Sequence, residues 1–252
     1  MSDFPAPPTA PPAPTPPTPP TPPPPAPAPA PVEMFELVGS GFFLQPTPAG
    51  AYYAVASSEP NPERDLLLHL MGGAMSHRAT GAELVRWTGQ ATEQDAYALV
   101  FRAQERGWIE GFRQPTGPPP GPLEPIASAC LQLLSSTGSG LLSDAQGTCI
   151  ASQGFDASSG EFLAAVSADI ASMHERHARS LAVVSGTSTG AWALVDMAGN
   201  SRVGFWPLFV GDRRFVLALG GLPALNHPAL VDLVWALNMR YGRAAQRMPK
   251  LL

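Results

Sequence analysis

Between Pro5 and Pro31 the chain is built almost entirely of proline, alanine and threonine. Proline lacks a backbone donor, and alanine and threonine offer little apolar area to bury. The stretch therefore reads as an extended, disordered polyproline-type tail. It holds more than half of the chain's 31 prolines, so the part of the 252 residues able to build a core starts near Val32. Such a tail serves either as a ligand for an aromatic groove on a proline-peptide-binding protein or as a spacer. The absence of basic flanking residues to fix an orientation favours the spacer.

The remaining bounds are permissive. A formal charge of −5 argues against a general nucleic-acid binder. Cys130 and Cys149 fall in different expected elements without metal-ligand spacing, which suits two packed thiols in a reducing compartment. The start, MSDFPAPPTA, has no charged segment followed by an apolar core, and no uncharged apolar run reaches the ~20 residues a membrane helix needs. A cytoplasmic protein without membrane contact is the expectation.

Residues 32–114 form a first module. The runs FELVGSGFFLQP and AYYAVASS flank the turn-prone Thr47-Pro48-Ala49-Gly50, which predicts a β-hairpin. Three short helices come next. The first is capped by Asn61 and buries Leu66, Leu67 and Leu70. The second is capped by Thr80 and carries Leu84, Val85 and Trp87; the third is capped by Thr92 and carries Ala96, Leu99, Val100 and Ala103. The third runs into the phrase ERGWIEGF, a short strand. Three helices and a strand over Glu63 to Arg113 resemble the winged-helix form of the helix-turn-helix. The resemblance implies a third helix that enters the major groove, yet Arg102 and Arg106 stand there against Glu93, Asp95 and Glu105. With phosphate contacts supplying most non-specific affinity, this balance favours protein contact over DNA.

The run PTGPPPGP at 115–122 reads as a stiff linker. Beyond it, residues 123–242 form a second module, with a tail at 243–252. Ile126, Ala127, Cys130, Leu131 and Leu134 line one face of a helix. Gly140 to Asp144 and Cys149 to Ser152 make a hairpin around Ala145-Gln146-Gly147. Phe162, Val166, Ile170 and Met173 recur three or four apart in a long amphipathic helix over about Ser159 to Ser180. Strands are expected at Ala191 to Ala198, Val203 to Val210 and Arg214 to Leu219. A last helix is expected to be capped by Asn226, with Pro228 in its first turn and Leu230, Leu233, Val234 and Leu237 on its apolar face.

The order helix, hairpin, long helix, three-stranded meander, helix, with the phrases GLLSDAQGTCIAS and FWPLFVGDRRFVLALGG, resembles the roadblock family of dynein light-chain-type and bacterial GTPase-regulating domains. It covers about half of the chain. The resemblance implies an α+β fold with a five-stranded antiparallel sheet and helices on both faces. It also implies a homodimer made by the long helix and the edge strand after it, and a role as scaffold or regulator of a small Ras-like GTPase. Carried onto this sequence, the interface comprises Phe162, Val166, Ile170 and Met173 on the helix with Trp192 and Leu194 on the edge strand. Leu181 to Gly190 is longer and more apolar than the family pattern, which leaves the edge-strand register open.

Three patterns invite enzyme chemistry. Gly186-Thr187-Ser188-Thr189-Gly190 matches G-x-S-x-G, with Asp196 or Asp212 and then His227 in hydrolase order, but a nucleophile elbow needs a strand before it and a helix after it. Gly190 leads instead into AWALVDMAGN, a strand and turn pattern. His174 and His177 lie one helical turn apart, without a third zinc ligand placed by sequence. Gly39-Ser40-Gly41 is only a loop signal, because no phosphate-cradling G-x-x-x-x-G-K-[ST] is present. The expectation is a non-enzymatic, cofactor-free regulatory scaffold, with a dimeric winged-helix transcription regulator as the rival reading.

Overall fold

The computed structural model describes residues 34–36, 41–186 and 190–243. The proline-rich segment, Thr187 to Thr189 and the residues after Arg243 lie outside the described residues.

The first module begins with β1 (Phe43–Pro46) and α1 (Pro48–Val55). It continues through α2 (Pro62–Leu70), β2 (His77–Arg78), α3 (Gly81–Thr88), α4 (Glu93–Glu105) and β3 (Ile109–Phe112). Asn61, Thr80 and Thr92 each take extended backbone angles and accept a hydrogen bond from the first turn of the helix they precede, as their sequence positions predict.

The hairpin expected over residues 32–58 is not formed. Its supposed turn is a helix start, in which the Thr47 hydroxyl oxygen accepts from the Gly50 N–H at 3.1 Å and Pro48 occupies the first helical position. The signal Thr-Pro-x-Gly serves a turn or a helix cap equally well, and a distant residue decides. The Thr47 N–H donates to the Trp108 carbonyl at 2.9 Å, and Tyr53 stacks on the Trp108 ring with centroids 3.8 Å apart. Gly50 lies so close to the Trp108 carbonyl that a Cβ there has no room.

After α4, β3 does not turn back into a wing. It pairs antiparallel with β1, from Phe43 opposite Phe112 to Pro46 opposite Ile109, in a sheet of order β2-β1-β3.

The second module runs α5 (Leu123–Leu134), β4 (Gly140–Asp144), β5 (Cys149–Gln153), α6 (Ala157–Ser185), β6 (Trp192–Val195), β7 (Ser201–Val210), β8 (Arg213–Gly220) and α7 (Ala229–Tyr241). Its strands form an antiparallel sheet of order β5-β4-β8-β7-β6. The central strand β8 is apolar at every position from Phe215 to Leu219 because both of its sides are covered. Phe215, Leu217 and Leu219 join the core under α5 and α7, whereas Val216 and Ala218 join the smaller core under α6. This mixed α+β arrangement, with helices on both sides of a five-stranded sheet, is the one the sequence resemblance implies.

Three boundaries differ from expectation. Helix α6 is longer, because Asp156 caps it by accepting from the Ser159 N–H at 2.9 Å and the run LAVVS contains no breaker before Gly186, which closes it at φ +68°. Strand β6 is correspondingly shorter than residues 191–198. Asn226 does not cap α7. Pro228 holds that position, and the His227 Nδ1 accepts from the Ala229 N–H at 3.1 Å instead.

Residues 115–122 do not divide the interior. Thr116 is tied down, its N–H donating to Ser76 Oγ at 2.9 Å and its hydroxyl to Gln45 Oε1 at 2.7 Å. A single buried cluster runs from Leu44, Ala51 and Leu66 through Leu131 and Leu217 to Trp235 and Leu237. Trp235 is fully buried on α7 and donates from Nε1 to the Gly73 carbonyl at 2.8 Å. Burying a tryptophan removes about 150–250 Å² from water, an upper estimate of roughly 4–6 kcal/mol at about 25 cal/mol/Å². Its hydrogen bond adds only about 1 kcal/mol. Apolar contact therefore joins the modules, and the polar bonds fix their register.

Candidate interaction surface

Helix α6 has 29 residues, a rod of about 43 Å at the α-helical rise. Its buried positions are Gly160, Ala164, Ser167 and Ala171, spaced four, three and four apart. Small side chains let the helix lie close on the sheet, and Ser167 satisfies its hydroxyl by donating to the Leu163 carbonyl at 2.6 Å. The stripe that faces the core is thus the small one. The large apolar residues assigned from the sequence to the interface lie round the helix from it. Phe162 is 68% exposed, Val166 and Met173 are half-buried, and Ile170 is half-buried against the core beneath α6.

Among the described residues, strand β6 ends the sheet, with β7 as its only neighbouring strand. Trp192 stands opposite Phe205 and Leu194 opposite Val203, which places both on the α6 side of the sheet. Trp192 is half-buried, and its indole N–H donates to the His174 Nδ1 at 3.1 Å, fastening the edge strand to α6. Leu194 is 48% exposed. At the tip of the β6–β7 turn, Asp196 Oδ1 accepts from the N–H groups of Ala198 and Asn200, both at 2.9 Å. These bonds hold its carboxyl below the usual carboxylate range, that from Asn200 most.

All six residues singled out from the sequence therefore sit on α6 or the neighbouring edge strand, but with unequal roles. Phe162 and Leu194 are open, whereas Ile170 and Trp192 also belong to the core margin. Sequence reasoning missed Val183 and Val184 on the last turn of α6, and Val195 and Met197 beyond Leu194, all strongly exposed. The adjacent valines are the available signal, and ending the helix at Ser180 hides it.

Ser188 lies outside the described residues, Asp196 serves its turn, and His227 serves the start of α7. His174 holds Trp192, and among the described residues no three His, Cys, Asp or Glu side chains gather as a metal site. On α4, Arg102 lies 3.8 Å from Glu63 and Arg106 sits over the Trp108 ring at 4.8 Å. Both arginines thus have partners within the module. A cavity of about 540 Å³ opens beside α2 and the end of α7, lined among others by Arg64, Asp65, His69, His77, Arg86 and Arg243. Its cations are also engaged: Arg64 donates to the Tyr53 and Glu59 carbonyls, Arg86 pairs with Glu83, and Arg243 lies 3.7 Å from Asp65. Burial, then His77 and Arg86, hold His69 below the ordinary imidazole range. Among the described residues, no helix is long and apolar enough to cross a membrane.

No protein-family model and no curated protein matches the chain. Among solved structures, a Roadblock/LC7 domain from Streptomyces avermitilis aligns with it at 16% identity and a TM-score of 0.31. The alignment covers 48% of this chain and 93% of that one.

Proposed function

We propose that this protein is a non-enzymatic regulatory scaffold that pairs with a second copy of itself through α6 and β6 and holds a small Ras-like GTPase. The observation that carries the reading is the juxtaposition of an open strand edge with exposed apolar side chains. An unpaired edge offers a row of backbone donors and acceptors to another strand. The strand itself carries Leu194 and Val195, and α6 carries Phe162, Val183 and Val184, exposed apolar side chains that are costly to leave in water. A two-fold operation answers both at once, joining edge to edge and helix to helix. The GTPase half of the reading rests on the sequence resemblance and on the sheet and helix order that accompany it.

Light scattering on the full chain at micromolar concentration is expected to give a dimer. Leu194→Asp, at an exposed site outside the core, is expected to weaken it roughly 100-fold, about 2.8 kcal/mol, with an unchanged circular dichroism spectrum. A monomeric wild-type chain would defeat the pairing. For the partner, Ras-like GTPases from the same organism are titrated separately in the GDP state and with a non-hydrolysable GTP analogue. The expectation is tighter binding of one state, because only differential affinity can shift a population. Undetectable binding of both states across those GTPases removes that half of the reading.

A further inference from the structure

The outward face of α4 is already occupied, by the chain's own residues 34–36. The Phe35 N–H donates to Gln94 Oε1 at 3.0 Å, and Gln94 Nε2 donates back to the Phe35 carbonyl at 3.0 Å. One amide side chain thus takes both main-chain groups of a single residue, as a neighbouring strand would. The Phe35 ring meets Phe101 with centroids 5.0 Å apart and planes 40° apart, within the range of a favourable aromatic pair. Gln94 and Phe101 lie two helical turns apart on one face, away from the buried Ala96, Leu99, Val100 and Ala103. Met34, 83% exposed, and Glu36 point outward, so Phe35 alone of the three described residues enters the site.

We propose that this face of α4 is a clamp for an extended peptide carrying an aromatic side chain, and that Phe35 holds it shut in the free protein. Gln94 reads the main chain and is indifferent to sequence; Phe101 selects the aromatic ring. The closure is exchangeable, because its polar bonds are exposed to solvent and Phe101 is still 42% exposed beneath its partner. Phe35 belongs to the same chain as α4, so it competes for the site intramolecularly. A competing peptide in solution therefore meets a strong internal rival in the wild-type chain and a weaker one, holding by main-chain bonds alone, once the ring is removed.

The test uses the full chain and a fluorescent peptide with the sequence of residues 31–39, followed by anisotropy. The peptide is expected to bind Phe35→Ala at least ten-fold more tightly than wild type. Adding Gln94→Ala or Phe101→Ala to Phe35→Ala abolishes the gain, and a peptide whose phenylalanine is replaced by alanine does not bind. None of the three substituted positions is in the buried core, so each protein is expected to keep its thermal unfolding profile, which is recorded alongside. Binding that is equal in wild type and Phe35→Ala, that survives Gln94→Ala, or that is absent from Phe35→Ala up to millimolar peptide overturns the proposal.

Discussion

Cys130 and Cys149 differ in what surrounds them, and the difference is chemical. Cys130 is buried in α5, where desolvation, with a smaller contribution from Asp232, pushes its thiol up to about 12. Cys149 is half-buried on the outer strand β5, its thiol raised by burial first and then by Glu161 and Glu124. Only the thiolate reacts, and at pH 8 a thiol titrating near 12 is ionised in roughly one molecule in ten thousand. A thiol reagent at pH 8 is therefore expected to modify one cysteine per folded chain, with the second appearing only in denaturant. Cys149→Ala should remove the fast reaction, and two equally fast thiols would contradict this assignment. From the sequence both residues read as packed thiols. Their inequality depends on Cys149 standing at the margin of the sheet, which no local pattern encodes.

Among the elements, α7 shows how a helix can be legible in its face but not in its neighbours. The apolar positions Leu230, Leu233, Val234 and Leu237 announce a buried stripe, and the structure buries all four. Nothing local announces that Asn238 donates from one amide nitrogen to the Leu68 carbonyl at 2.7 Å and to the Met71 carbonyl at 3.1 Å. Those carbonyls belong to the end of α2, where a helix runs out of its own donors. Asn238→Ala is expected to destabilise the protein by about 1–3 kcal/mol, the cost of leaving such groups unpaired. Urea denaturation measures it, and a change below about 0.5 kcal/mol would show that water replaces the amide. Caps at Asn61, Thr80 and Thr92 are readable because a cap and its donor lie within one turn. The hairpin expected at Thr47 fails because its deciding partner, Trp108, lies far along the chain.

For the whole molecule, the sequence suggests two modules on either side of a proline linker, whereas the structure has one apolar cluster crossing from α1 and α2 to α5 and α7. Periodicity tells that a helix is buried, but not against what, so an interface between modules and an interface within one look alike in sequence. A shared core is expected to melt as a unit. Trp87 and Trp108 report on the first module and Trp192 and Trp206 on the second, with Trp235 kept in every variant because it lies at their junction. Fluorescence of variants that keep Trp235 and one further tryptophan from either set should follow the same transition as circular dichroism. Two separated midpoints would mean that the halves unfold independently. The chain crosses between the halves through the exposed Arg113, Gln114 and Pro115, while Trp235 and Asn238 hold them together by side-chain contact. The peptide bond at that crossing is thus a convenience of synthesis more than a brace. Made as two separate polypeptides, the halves would have to find each other before either was complete, and once joined they would travel as one particle.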